Sequence, residues 1–252
     1  MFDKNTSEGV IVRILVVLPL CMVLLFISAG TQAASERLEY SLYWNGIKAG
    51  TASLEKKVSD DTVQLISTVT STPLAGVIYP VDDLVVSTLK KELWGPGIAA
   101  PSSYRIMLRE GRNRRDKEYR FDPAAKKIFY INHLEQERAE FPLLVPTLDP
   151  LASIYHVRTL PLIIGKSLHV TIFDSKRIYR MEIRVLRRED VDTPIGRFRT
   201  IAIQPVMLTE GFFSRRGELF LWLSDDDRRI PVQIRTKIKV GTVTGQLSGG
   251  KY

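Results

Sequence analysis

From Glu36 onward the chain alternates apolar and polar positions with a period of two, the pattern of half-buried strands. Leu38, Tyr40, Leu42 and Trp44 fall on one face, and Arg37, Glu39 and Ser41 on the other. Asn45-Gly46 supplies a two-residue turn that favours positive φ, and Ile47 to Val58 returns as the second strand of a hairpin. A third strand is expected at Val63 to Thr70, an irregular or helical crossing segment at Pro73 to Pro80, and a fourth strand at Asp82 to Leu89. Tyr104 to Glu110, Lys117 to Asp122 and Lys127 to Asn132 form successive hairpins whose corners carry turn residues. Further strands are predicted at Ser167 to Phe173, Arg177 to Arg188, Arg197 to Gln204, Glu218 to Ser224, Ile230 to Val240 and Thr242 to Leu247. About a dozen short strands at regular spacing predict a mainly β protein: a single curved antiparallel sheet or open (half) barrel.

One segment breaks the alternation. Asp149 suits an N-cap and Pro150 the first helical position, and Leu151, Ile154, Tyr155 and Arg158 recur at helical spacing until Pro161. The strand Glu218 to Ser224 is apolar on both faces, with Leu219, Leu221 and Leu223 on one and Phe220 and Trp222 on the other, so both faces need cover. The expectation is one short helix, Asp149 to Leu160, packed on the concave face of the sheet.

The N-terminus has a different pattern. Lys4 and Arg13 precede an apolar run from Ile14 to Ile27, and Thr31-Gln32-Ala33 places small residues at a cleavage site, so residues 1–33 read as a signal peptide. The rival, an uncleaved anchor, meets a run shorter than the ~20 residues a spanning helix needs, interrupted by Pro19. Residues 34–252 then form a single β-rich domain, with no linker and no internal repeat, placed outside the cytoplasm. That length suffices to bury about 70% of the unfolded chain's surface without disulfide staples. The only cysteine, Cys21, lies inside the apolar run, so a mature chain has no thiol for a disulfide, a metal or nucleophilic catalysis. Removing the segment takes two bases and two acids and leaves the net charge at +8, which biases association toward anionic partners.

The search for chemistry is largely empty. His133, His156 and His169 have no second histidine or acid at metal-ligand spacing, and no nucleophile elbow, phosphate-cradling loop or zincin helix is present. No metal or cofactor is expected. Asp225-Asp226-Asp227 lies between two strands and reads as turn chemistry neutralised by Arg228 and Arg229. Two basic features remain: Arg112, Arg114, Arg115 and Lys117 around a hairpin tip, and Arg235, Lys237 and Lys239 along one face of a strand. Nucleic acid is disfavoured by the export pattern and by the lack of aromatics between the bases.

The motifs YSLYWNGIKAG at 40–50, DPLASIYHVR at 149–158, TPIGRF at 193–198 and WLSDD at 222–226, followed by Arg229 and Pro231-Val232, resemble the bacterial exported domain-of-unknown-function family 3108. The resemblance spans nearly the whole chain after the leader. It implies a periplasmic β-rich domain of Gram-negative bacteria with no established activity and no catalytic residues to carry over. The ending, a strand running into Ser-Asp-Asp and then Arg-x-Pro-Val, is also similar to the periplasmic lipoprotein-carrier half-barrels, a likeness of fold alone.

These readings lead to a non-enzymatic binding protein for a lipid or other amphipathic envelope ligand, with Trp44, Tyr155, Phe220 and Trp222 expected on a concave, ligand-binding face. The alternative is a structural or interaction module that docks on anionic polymer or head groups through Arg112, Arg114, Arg115, Arg235, Lys237 and Lys239. A hydrolase with paired carboxylates is a third reading, with no acid pair standing out from the turn acids. The oligomeric state is left open.

Overall fold

A computed structural model describes residues 35–95, 98–143, 146–207, 218–238 and 240–252. The expected leader, 1–33, and Lys239 lie outside the described residues. The rest falls in one compact unit, Ala33–Tyr252. The strands are β1 (Glu36–Trp44), β2 (Ile47–Val58), β3 (Thr62–Ser71), β4 (Asp82–Gly95), β5 (Ile98–Glu110), β6 (Asn113–Asp122), β7 (Lys127–Asn132) and β8 (Glu137–Pro142). They continue with β9 (Ser167–Asp174), β10 (Arg177–Thr193), β11 (Gly196–Met207), β12 (Leu219–Ser224), β13 (Pro231–Ile238) and β14 (Gly241–Lys251). All belong to one antiparallel sheet in the order β8-β7-β6-β5-β4-β3-β2-β1-β14-β13-β12-β11-β10-β9. The fold is therefore mostly β, a single open sheet, as the alternation predicts.

Local chemistry explains the best-defined corners. Asn45 and Gly46 both take positive φ, 48° and 85°, which lets β1 and β2 join through two residues. At the β12–β13 turn, Asp226 accepts from Ser224 Oγ and from the Arg229 amide, while Asp225 pairs with Arg188, Arg199 and Arg229. The acidic run is spent on turn geometry and ion pairs.

The structure corrects the sequence reading in two places. There are two helices rather than one: Pro73–Ile78 forms a short α1, capped by the Thr72 hydroxyl, in addition to α2 (Pro150–Thr159). An additional strand, β8, escaped because only Ala139 and Phe141 turn inward against Arg138 and Glu140, too short an alternation to register.

The sheet curls so that its two edges approach without pairing. Phe173 on β9 packs against Tyr119 on β6 and Phe141 on β8, with ring centroids 5.5 Å away in both cases. Lys176 bonds both Glu137 oxygens at 2.6 and 2.8 Å beside this aromatic seam. The outer edge of β9 is covered by the approach to α2: Leu148 donates to Thr171 O at 2.9 Å and accepts from Phe173 N at 2.8 Å. A covered edge removes the unpaired backbone that would otherwise template association.

Helix α2 lies inside the curl. Its N-cap, Asp149, is fully buried; Oδ1 accepts from Ala152 N at 2.9 Å and Oδ2 from Ser87 Oγ on β4 at 2.7 Å. At the other end Arg158 makes a bidentate pair with Glu36 of β1, at 2.7 and 2.6 Å, and also donates to the Arg228 carbonyl. Leu151, Ala152 and Val157 are buried in a core that draws on both halves of the sheet. Full burial of each large apolar side chain contributes about 1.5–3 kcal/mol, so the helix is held chiefly by its packing.

Candidate functional site

Because every strand is antiparallel to its neighbours, the connections alternate between the two ends of the barrel. Helix α2 starts near mid-barrel, beside Ser87, and ends beside Glu36, filling the end that holds the β12–β13 turn. The space above its N-terminus is left as a cavity of about 180 Å³. From the helix, Pro150, Ser153, Ile154 and Val157 face it, the i, i+3, i+4, i+7 set of one helical face. From the sheet, Leu219, Leu221 and Leu223 supply the inward face of β12, Ile203 and Ile234 come from its neighbours β11 and β13, and Ile183 from β10. Asp174, Tyr179, Met181 and Met207 stand at the strand ends farthest from the helix terminus and form the mouth. The wall is aliphatic except for Ser153, Asp174 and the ring of Tyr179, which is buried.

An apolar cavity of about 150 Å³ is large enough to hold benzene. This one therefore accepts an apolar ring or a chain end, and is below the ~300 Å³ at which sites for drug-sized ligands begin. The methionines at the mouth add adaptable, unbranched surface. A larger depression of about 810 Å³ over β6 to β8 is shallow and ringed by Lys90, Arg120, Asp122, Arg138 and Glu140. Part of that charge is internally satisfied, by Arg120 with Glu118 and Lys127 with Glu140, and the depression has no helix to enclose it.

The four aromatics expected together on the concave face are not together. Phe220 and Trp222 point to the outer face, because β12 alternates and its leucines take the inside. There Trp222 donates from Nε1 to Glu189 at 2.6 Å and lies under the Arg235 guanidinium, 5.2 Å from the ring centre. Trp44 sits at the rim and donates to Val240 O at 3.0 Å. Tyr155 is on the other side of α2 from the cavity, beneath the Arg158 guanidinium at 4.9 Å, and burial beside Glu36 raises its pKa. The residues that do line the cavity carried one legible signal, the inward leucine triplet of a strand apolar on both faces.

The basic residues form two separate groups. Arg112 and Arg114 are exposed at the β5–β6 tip, where Arg114 donates to the Gly111 and Asn113 carbonyls, and Arg115 is half-buried beside them. Arg235 and Lys237 lie on β13, six strands from β5 and seven from β6, or roughly 29–34 Å along the sheet at ~4.8 Å per strand.

Of the histidines, His133 meets Glu118 at 3.0 Å, His156 is half-buried on α2 with its pKa lowered by desolvation, and His169 is on β9. Among the described residues no group of three or more His, Cys, Asp or Glu side chains could hold a metal ion. Asp149 is the carboxylate most strongly pushed toward its neutral form, to about 6, by burial, partly offset by the Ala152 amide and the Ser87 hydroxyl. Both its oxygens are occupied by those donors, which makes it a helix cap facing no second carboxylate.

A curled, open antiparallel sheet with an internal helix and an apolar pocket defines a β-barrel-like protein. The chain belongs to the family described as protein of unknown function (DUF3108), whose pattern it matches over residues 39–248. It is similar in structure to a beta-barrel-like protein of domain of unknown function DUF1849 from Brucella abortus. That likeness has a TM-score of 0.57 at 10% identity and covers 87% of this chain and 98% of the other, which speaks to fold alone. No curated protein matches the chain.

Proposed function

We infer that the protein is an exported, periplasmic, non-enzymatic binding protein for an apolar or amphipathic envelope ligand. The observation that carries the reading is the aliphatic cavity between α2 and strands β9 to β13, which lies against the main hydrophobic core. An unfilled apolar cavity lowers stability by about 24 cal/mol per cubic ångström, a cost that a bound apolar group offsets. The ligand inserts one apolar chain end or ring between the β12 leucines and Ile154, and its polar remainder stays at the mouth near Asp174. The leader pattern at 1–33 supports export, and the envelope then supplies candidate ligands of this chemistry.

The test is native mass spectrometry of the protein purified from its host, paired with organic extraction of what it carries. A stoichiometric apolar or amphipathic companion is expected. Met181→Trp narrows the mouth at a partly buried position, and should reduce that occupancy about tenfold. A clean unliganded mass together with no uptake of added fatty acid or phospholipid would refute the reading.

A further inference from the structure

Three features outside the cavity stand out: the fully buried Asp149, the charged depression over β6 to β8, and the distribution of exposed apolar side chains. The last carries the most. Nine of the twelve large hydrophobic side chains exposed among the described residues lie at one end of the barrel, on or beside the connections β1–β2, β3–β4, β7–β8, β9–β10 and β13–β14. The other three, Ile163, Ile195 and Tyr252, are at the opposite end. Scattered exposed hydrophobics are ordinary, whereas a contiguous set at one rim marks an interaction surface.

The centre of that rim is α1. Leu74, Val77 and Ile78 are 81%, 85% and 80% exposed, on a helix with no buried residue. The next hairpin along the sheet, two strand spacings or about 10 Å away, adds Trp44 and Ile47. The one after it adds Val240, whose carbonyl holds the Trp44 indole. On the other side of α1 sits the arginine-rich tip. Gly111 N donates to Pro80 O at 2.8 Å, and the Tyr79 ring lies where a Cβ on Gly111 would stand, 2.6 Å from that position. These contacts hold Arg112, Arg114 and Arg115 directly beside the apolar knob.

We propose that this rim is a docking surface for an anionic lipid bilayer. Leu74, Val77 and Ile78 enter the boundary between head groups and acyl chains, Trp44 lies at head-group level, and Arg112, Arg114 and Arg115 pair with lipid phosphates. Apolar side chains beside cations are the composition that interfacial binding requires, because the apolar part supplies burial and the cations supply attraction to anionic lipid. A protein partner would need complementary shape along the whole rim, whereas a bilayer needs only protruding apolar side chains with cations beside them. The surface stands on residues other than those of the cavity, whose mouth opens on the same end.

The test is vesicle flotation with phosphatidylcholine alone and with phosphatidylcholine containing phosphatidylglycerol, using the protein as purified from its host. Depth is read from an environment-sensitive fluorophore on V77C or, as control, on I195C at the opposite end, each in a C21S background. Flotation with the anionic vesicles is expected, weakened by salt, with a blue shift at position 77 and none at 195. The L74S/V77S/I78S variant, altered only at exposed positions, should lose about tenfold or more in vesicle partition, and R112E/R114E a similar factor on anionic vesicles only. No flotation, equal responses at 77 and 195, or a serine variant that binds like the parent would each overturn the proposal. So would a lipid-free dimer that the serine substitutions abolish in a protein with no vesicle binding, since the rim would then be an interface between copies. None of these readouts involves a cavity ligand, so the surface and the binding reading can fail separately.

Discussion

Replacing Asp149 by Asn tests whether the buried cap of α2 is held at the expense of an unfavourable charge. In the fold the carboxyl is pushed from 3.8 to about 6, chiefly by desolvation, while in the unfolded chain it returns to its ordinary value. A carboxyl whose folded pKa is raised contributes stability that is complete below the unfolded pKa and is lost as pH rises through the folded one. The native state binds the extra proton between pH 3.8 and about 6, so stability falls across that window and is flat above it. The difference of about two units corresponds to about 3 kcal/mol. Asn keeps an oxygen for the Ala152 amide, and the Ser87 hydroxyl can turn round to accept from the new amide group, so the cap survives without the charge. Asp149→Asn should therefore be as stable as the parent near pH 4 and up to about 3 kcal/mol more stable at pH 7. Urea unfolding at intervals from pH 4 to pH 7 reads this directly. Half-buried His156, whose pKa is lowered, acts in the opposite direction, and it is common to both proteins and cancels in the difference. Parallel pH profiles for parent and variant, or a variant less stable than the parent at pH 7, would refute the reasoning.

Other expectations follow from single contacts. Arg158→Ala strands Glu36 in a largely buried position and should destabilise by about 3 kcal/mol or more, whereas E36Q/R158M, which removes both charges, recovers most of that; denaturant midpoints decide, and equal losses would sink the argument. Trp222→Phe keeps an aromatic side chain, though a smaller one, and removes the donor to Glu189, a loss of about 1.5–3 kcal/mol for a bond to a charged acceptor, checked by the shift in urea midpoint. Gly111→Ala combines a φ of +58° with a Cβ placed against Tyr79, so it should destabilise by about 1–3 kcal/mol and displace the α1 connection; an unchanged thermal midpoint would contradict it.

Much of this fold is legible in the chain, and particular residues show why. The β1–β2 hairpin follows from alternation plus Asn-Gly, two local signals that agree. Helix α2 follows from Asp149, Pro150 and the helical spacing after them, and its bounds match the reading to within a residue. Strand β8 escaped because only Ala139 and Phe141 mark its apolar face, and α1 was readable only as a helical or irregular crossing because six residues between prolines define no periodicity.

What the sequence determined by itself is periodicity: which residues share a face, where turns fall, and that the strand with both faces apolar must be covered twice. Those facts depend on neighbours within a few positions along the backbone. What only the tertiary structure decided is which face is the inside. The leucines of β12 look into the cavity and Phe220 and Trp222 look out, although alternation assigns the two sets symmetrically. The direction is set by how the sheet curls and by α2, held at Ser87 and Glu36, residues 62 and 122 positions from their helix partners. The same curl gathers Trp44, Leu74, Val77 and Val240 at one rim, a grouping that no local pattern contains, because it arises from the order in which distant hairpins pair.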